Sequence, residues 1–198
     1  MPRRIVPPAA ATAEPPISNT RLAMIVVIAG ESMLFAGLIG MYLVFRLSRP
    51  WPPADLPRLP LGMTFLNTLV LFASAVPMTR ALGAVRRDDR RTLVRALALT
   101  VLLGTTFLAV QGLEWVRLVR HGLTLGSSMY GAAFYTLIGC HGVHVLIAVL
   151  WLGVTTLLAA RGVFRAARHA ALEMCAIYWY FVCALWLLLF PLVYLYRS

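Results

Sequence analysis

Lysine is absent from the 198-residue sequence and acidic side chains are few: all 18 basic residues are arginine, against seven Asp and Glu. Only 13% of residues are charged and 61% are hydrophobic, with a mean hydropathy of +0.82. A soluble domain of this size carries far more polar surface, so the composition is that of an integral membrane protein. The net charge of +11 does not call for nucleic acid, because most arginines lie between or at the ends of apolar runs. Basic loops in that position set membrane topology and touch anionic headgroups. Cysteine is scarce too. Cys140, Cys175 and Cys183 sit inside apolar segments, and without a CxxC or CxxCH there is no redox pair, zinc knuckle or c-type haem attachment. They read as small buried hydrophobes. No internal repeat and no soluble domain is visible.

What is present is a set of five apolar segments, running from Leu22 to Leu47, Leu61 to Leu82, Leu93 to Val116, Met129 to Ala160 and Ala170 to Tyr196. Each exceeds the about 20 residues a helix needs to cross a bilayer core. They lack the alternation of barrel strands, and a helix alone satisfies its own backbone in lipid. The expected fold is therefore an all-α bundle of five transmembrane helices over residues 21–198. The fourth segment is longer than needed and should tilt or project. Residues 1–20 are rich in Pro and Ala without the apolar core of a signal peptide, and read as a mobile tail. The arginines divide twelve to six between the two sides of such a bundle, which predicts a cytoplasmic N-terminus and an outer C-terminus.

Polar residues inside the apolar runs carry the functional information, since an acid or base at a helix centre costs about 2.5–3.5 kcal/mol on translocon scales. Glu31 lies near the middle of the first span. It must be protonated, paired, or turned toward another protein surface; a proton-accessible or lipid-contacting carboxyl and a carboxyl hydrogen-bonded to a neighbouring helix both fit. Gln111 and Glu114 share a face near one end of the third span, and Arg117 follows Glu114 by three residues, the spacing of a surface ion pair at a solvated helix end. His141 and His144 fall close to the bilayer midplane. A haem between helices needs ligands from two helices at matching depth, and the remaining histidines, His121 and His169, lie at span boundaries. Interhelical hydrogen bonding is the better local account, with Gly139 and Gly142 allowing close approach. Glu173 sits one turn beyond His169 near the inner surface, where snorkelling accounts for both. Tyr178, Trp179 and Tyr180 lie deeper than an interfacial belt and read as packing or protein contact, whereas Tyr194 and Tyr196 suit the outer aromatic belt.

These residues fall into stretches that resemble subunit III of the haem–copper respiratory oxidases, in its bacterial five-helix form. "GESMLFAGLIGMYLVF" is similar to that family's glutamate-containing helix, with Glu31 on its intramembrane glutamate. Trp51, Pro52 and Pro53 match a tripeptide that follows it. "QGLEW" fits a Gln-x-x-Glu-aromatic motif through Gln111 and Glu114. "YGAAFYTLIGCHGVHV" is close to the most specific signature, through Tyr130, Gly131, Gly139, His141, Gly142, His144 and Val145. "HAALEMCAIYWYFVCALW" fits the last motif through His169, Glu173, Tyr178, Trp179, Phe181, Val182 and Trp186.

Two positions depart from that pattern. Tyr180 and Cys183 stand where the family has His and Asp, so a polar pair is expected to have become an apolar contact. The resemblance implies a non-catalytic subunit without haem, copper or other metal of its own, these groups residing in partner subunits. It implies packing beside catalytic subunit I, with subunit II in the same complex, in the cytoplasmic (inner) membrane. It further implies bound phospholipids and support of proton uptake and durability during oxygen reduction. Glu31, Gln111, Glu114, His141, His144, His169, Glu173, Tyr178 and Trp179 are then candidates for lipid or subunit contact. A subunit III-like accessory protein of a nitric oxide reductase is the neighbouring alternative. A stand-alone transporter predicts discontinuous helices or an internal repeat, which the sequence lacks.

Overall fold

The computed structural model describes residues 19–48 and 61–195, all of whose regular structure is helical. Helix α1 spans Asn19–Ser48, α2 Leu61–Ala73, α3 Ala75–Arg86, α4 Arg90–Arg120, α5 Met129–Ala160 and α6 Ala170–Phe190. A π-helical turn, Pro191–Leu195, continues α6. The two helices α2 and α3 form one membrane span, so five spans result: Asn19–Ser48, Leu61–Arg86, Arg90–Arg120, Met129–Ala160 and Ala170–Leu195. The expected five-helix architecture is the observed one. Asn19 and Thr20, expected in the tail, already belong to α1. The rest of that tail, the Trp51–Pro53 tripeptide and Tyr196 lie outside the described residues.

Local chemistry explains the element boundaries. The second span breaks at Ser74 because Pro77, three residues on, has no N–H to offer the carbonyl of Ala73. Ser74 uses the break: its hydroxyl donates to the Leu71 carbonyl (2.5 Å) and accepts from the indole Nε1 of Trp179 on α6 (3.1 Å). Asp89 caps α4, accepting from the Thr92 amide at 3.0 Å, and Ser128 caps α5, accepting from the Gly131 amide at 3.0 Å. A Cβ at Gly131 would stand 2.2 Å from the Thr124 carbonyl oxygen, so the turn into α5 requires glycine there.

The core lies between α4, α5, α6 and the α2–α3 span, with α5 and the α2–α3 span each packed on both α4 and α6, and α1 laid against α5 and α6. Trp179, Trp186, Phe107 and Phe134 are fully buried in it. A Cβ at Gly104 of α4 would stand 2.6 Å from the Trp179 ring and 2.9 Å from Val149, so that glycine lets α4 close on α5 and take in the Trp179 ring of α6. Trp186 closes the same layer, edge-on to Phe107, with its indole nitrogen donating to Thr68 of α2 at 2.9 Å.

Candidate functional site

The polar residues of the apolar runs converge in separate groups, each joining different helices. In the first group Nε2 of His144 (α5) meets Oε2 of Glu31 (α1), while Nδ1 of His144 lies 2.7 Å from the Cys140 carbonyl. A carbonyl only accepts, so Nδ1 carries a proton and donates it. Nε2 and the carboxyl then share one further proton. Whether it sits on nitrogen or oxygen, the pair has no net charge, which is what makes a carboxyl tolerable at this depth. Phe35, one turn beyond Glu31, covers the His144 ring edge-on with centroids 5.1 Å apart. Glu31 lies on the stripe of α1 that packs on the bundle, in register with Met24, Phe35 and Tyr42, yet its side chain remains 25% exposed.

The second group joins α2, α4 and the end of α6. Glu114 accepts from the Thr64 hydroxyl at 3.1 and 3.2 Å and from Nε2 of Gln111 at 3.2 Å; the same Nε2 reaches the Tyr194 hydroxyl at 3.3 Å. Glu114 is 2% exposed, so the surface ion pair with Arg117 expected from the spacing is not how it is satisfied. Arg117 is three residues on, but the carboxylate turns into the bundle. Tyr194 likewise departs from its expected place in an aromatic belt: the π-helical turn rolls it inward, where it is buried between Phe134 and Phe190.

His141, one turn before Val145 on α5, makes neither kind of bond. Its ring stacks on Trp186 (centroids 5.1 Å, planes 23° apart), and neither ring nitrogen has a hydrogen-bond partner among the described residues. Gly142 beside it admits the Trp115 ring, whose edge would stand 3.0 Å from a Cβ there. His141 and His144 share one helix, His144 is committed to Glu31, and Nδ1 of His121 is taken by the Arg117 carbonyl at a helix end.

A third group forms at the opposite end of the bundle. Glu173 (α6) binds Arg21 of α1 at 2.9 Å and Arg86 of α3 at 3.6 Å, with Nε2 of His169 3.2 Å away. The i, i+4 relation between His169 and Glu173 is present as the spacing implied, and the cluster ties three helices rather than leaving two snorkelling side chains. Tyr178 and Trp179 are buried against this chain's own helices. Tyr180 corrects one expectation. Its hydroxyl lies 2.8 Å from that of Thr79 on α3, so an interhelical hydrogen bond persists where an apolar contact was expected.

Sequence reasoning missed the neutral partners: Thr64 for Glu114, Thr68 for Trp186, Ser74 for Trp179, and Asn67, whose amide donates to the Phe107 carbonyl at 3.0 Å. All four lie on the second span, one turn or two apart, on the face that is buried. That periodic polar stripe in an apolar run was the available signal.

Five spans with a carboxyl–imidazole pair between the first and fourth define a polytopic membrane protein whose intramembrane polar groups join helices. The model of the family "Cytochrome c oxidase subunit III" matches residues 14–198. Curated relatives called cytochrome c oxidase subunit 3 include one from Oncorhynchus mykiss, 33% identical over 192 residues that cover 93% of this chain and 72% of the relative. The Xenopus laevis protein has the same identity and coverage, and that of the cyanobacterium Synechocystis is 34% identical over 175 residues, 87% of this chain and 73% of the relative. The chain belongs to the cytochrome c oxidase subunit III family, and so to the respiratory oxidase complexes of which that subunit is part.

Proposed function

We propose that this chain is the non-catalytic subunit III of a bacterial haem–copper terminal oxidase in the cytoplasmic membrane. It packs beside catalytic subunit I, with subunit II in the same complex, and holds phospholipids. It supports proton uptake and stability while the complex reduces oxygen to water and pumps protons. Haem and copper reside in the partner subunits, and the arginine-rich end faces the cytoplasm.

The observation that carries this reading is the placement of Glu31. It lies on α1, the span least covered by the rest of the chain: 11% of its apolar window is buried, against 56% for the last span. Leu22, Val26, Met33, Val44 and Leu47 line the open face. A helix so bare, tied to the bundle by a carboxyl–imidazole pair on its packed side while its other face stays apolar and open, is built to be covered by lipid or by another subunit's helices.

Purification in mild detergent, followed by identification of what accompanies the chain, tests the proposal. A large subunit containing haem and copper, with oxygen consumption, supports it. Nitric oxide turnover by the co-purifying complex moves the chain to an accessory role in nitric oxide reduction. A homogeneous cofactor-free particle that moves a solute across liposomes overturns both.

A further inference from the structure

Between α4 and α5, on the side of α5 away from α1's partner His144, lies a cavity of about 260 Å³. Its walls are mostly apolar or aromatic, among them Phe107, Ile138, Leu146 and Trp186. Three of the lining residues nevertheless carry buried polar atoms with no hydrogen-bond partner among the described residues: Oε1 of Gln111, Nε1 of Trp115 and both ring nitrogens of His141. The Gln111 amide is not free to turn away, because its Nε2 is held by Glu114 and Tyr194. Gln111 is 4% and His141 1% exposed, so bulk water does not satisfy them. Orphaned polar atoms at this density are unusual, and each costs desolvation that a guest in the cavity would recover.

We propose that this cavity binds the head of a neutral lipophile bearing a hydroxyl or carbonyl group. A mostly apolar pocket with a few convergent polar groups is the usual form of a site for such a ligand. The polar set suits a neutral head: Gln111 Oε1 accepts from a hydroxyl, while Trp115 Nε1–H and the protonated nitrogen of His141 donate to an oxygen. Among the described residues, no Arg, Asp or Glu lines the cavity. Its depth points the same way. Gln111 lies nine residues from the C-terminal end of α4 and His141 twelve from the start of α5, about 13 and 18 Å along the helices. A phospholipid headgroup stays at the interface, whereas an uncharged head reaches this level. Val143 and Leu146, both exposed, leave the α5 side open to lipid.

The test uses the intact complex in phosphatidylcholine nanodiscs and two photoreactive probes, a diazirine-tagged hexadecanol and the matched hexadecane. The expected result is that the alcohol labels α4 and α5 residues around the cavity about fivefold more than the alkane, the advantage of one neutral hydrogen bond. His141→Phe should remove that advantage while leaving alkane labelling unchanged. Gly112→Phe should abolish labelling of the cavity by both probes. Gly112 lines the cavity and a Cβ there meets nothing within 4 Å, so a side chain can start at that point, and this second variant carries the test if His141→Phe fails to assemble. Equal labelling by alcohol and alkane, as expected of a cavity that holds only water or tails, overturns the proposal. So does labelling that persists unchanged in Gly112→Phe.

Discussion

Nε2 of His144 and Oε2 of Glu31, 113 residues apart, share one proton between α5 and α1, and this bond is the tie to α5 among the polar contacts that seat the barest helix on the bundle, with Arg21 on Glu173 and Arg46 on the Leu192 carbonyl at its two ends. Because Nδ1 of the same ring is engaged by the Cys140 carbonyl, the imidazole cannot turn to find another partner. Glu31→Gln keeps an oxygen and an amide at that point. The complex is expected to assemble with its haem, while weakening the α1 contact by about 1 kcal/mol and shortening the lifetime of activity under turnover. Glu31→Leu strands Nε2 and should cost about 1–3 kcal/mol. Thermal denaturation and activity half-life measure both, and complete loss of haem in Glu31→Gln contradicts the account.

Gly104 predicts a packing failure. In Gly104→Ala the new methyl collides with the Trp179 ring and with Val149, neither of which has room to withdraw. Overpacking of this kind costs about 1–3 kcal/mol. Gly30→Ala, on the open face of α1 where nothing lies within 4 Å, is the control and should not lower the melting temperature of the chain.

The Glu173 cluster should behave as a surface ion pair despite joining three helices. Arg21 and Arg86 are 58% and 64% exposed, so water screens the attraction. Glu173→Gln is expected to cost less than about 1 kcal/mol, and the difference from the unaltered chain should vanish in about 1 M salt. A difference that survives high salt would mean that the carboxylate is desolvated in the complex.

Asp89 gives the clearest pH dependence. The Thr92 hydrogen bonds at the start of α4 hold its carboxyl below the ordinary 3.8. A lowered folded-state value means that the cap contributes fully above about pH 4 and fades as pH falls through the lowered value. The protection of the Thr92 amide, measured against its intrinsic exchange rate at each pH, should therefore fall on acidification. Asp89→Asn caps by its side-chain oxygen without titrating and should flatten that dependence, while Asp89→Ala should expose the amide at every pH.

Much of this molecule is set by composition and spacing alone. Five apolar runs of sufficient length leave a chain in lipid no alternative to five helices, and one of them, Met129–Ala160, has the same ends in sequence and structure. That His169 and Glu173 share a face one turn apart was legible as well, although snorkelling, not their pairing, was the expectation. Spacing fails where the partner lies on another helix. Glu114 has an arginine three residues on, yet takes a threonine fifty residues earlier, because its direction is decided by which face α4 turns to α2. Tyr194 looked interfacial by position and is buried because the chain rolls through a π-helical turn after Pro191. His141 and His144 are one residue type in one motif, three positions apart, and were indistinguishable in sequence. Only the packing of α1 gives His144 a carboxyl and leaves His141 on Trp186 beside a cavity. Hydrophobicity acts through each residue's own chemistry and so is readable along the chain; hydrogen bonds need two partners at about 3 Å, and that distance exists only once the helices have packed.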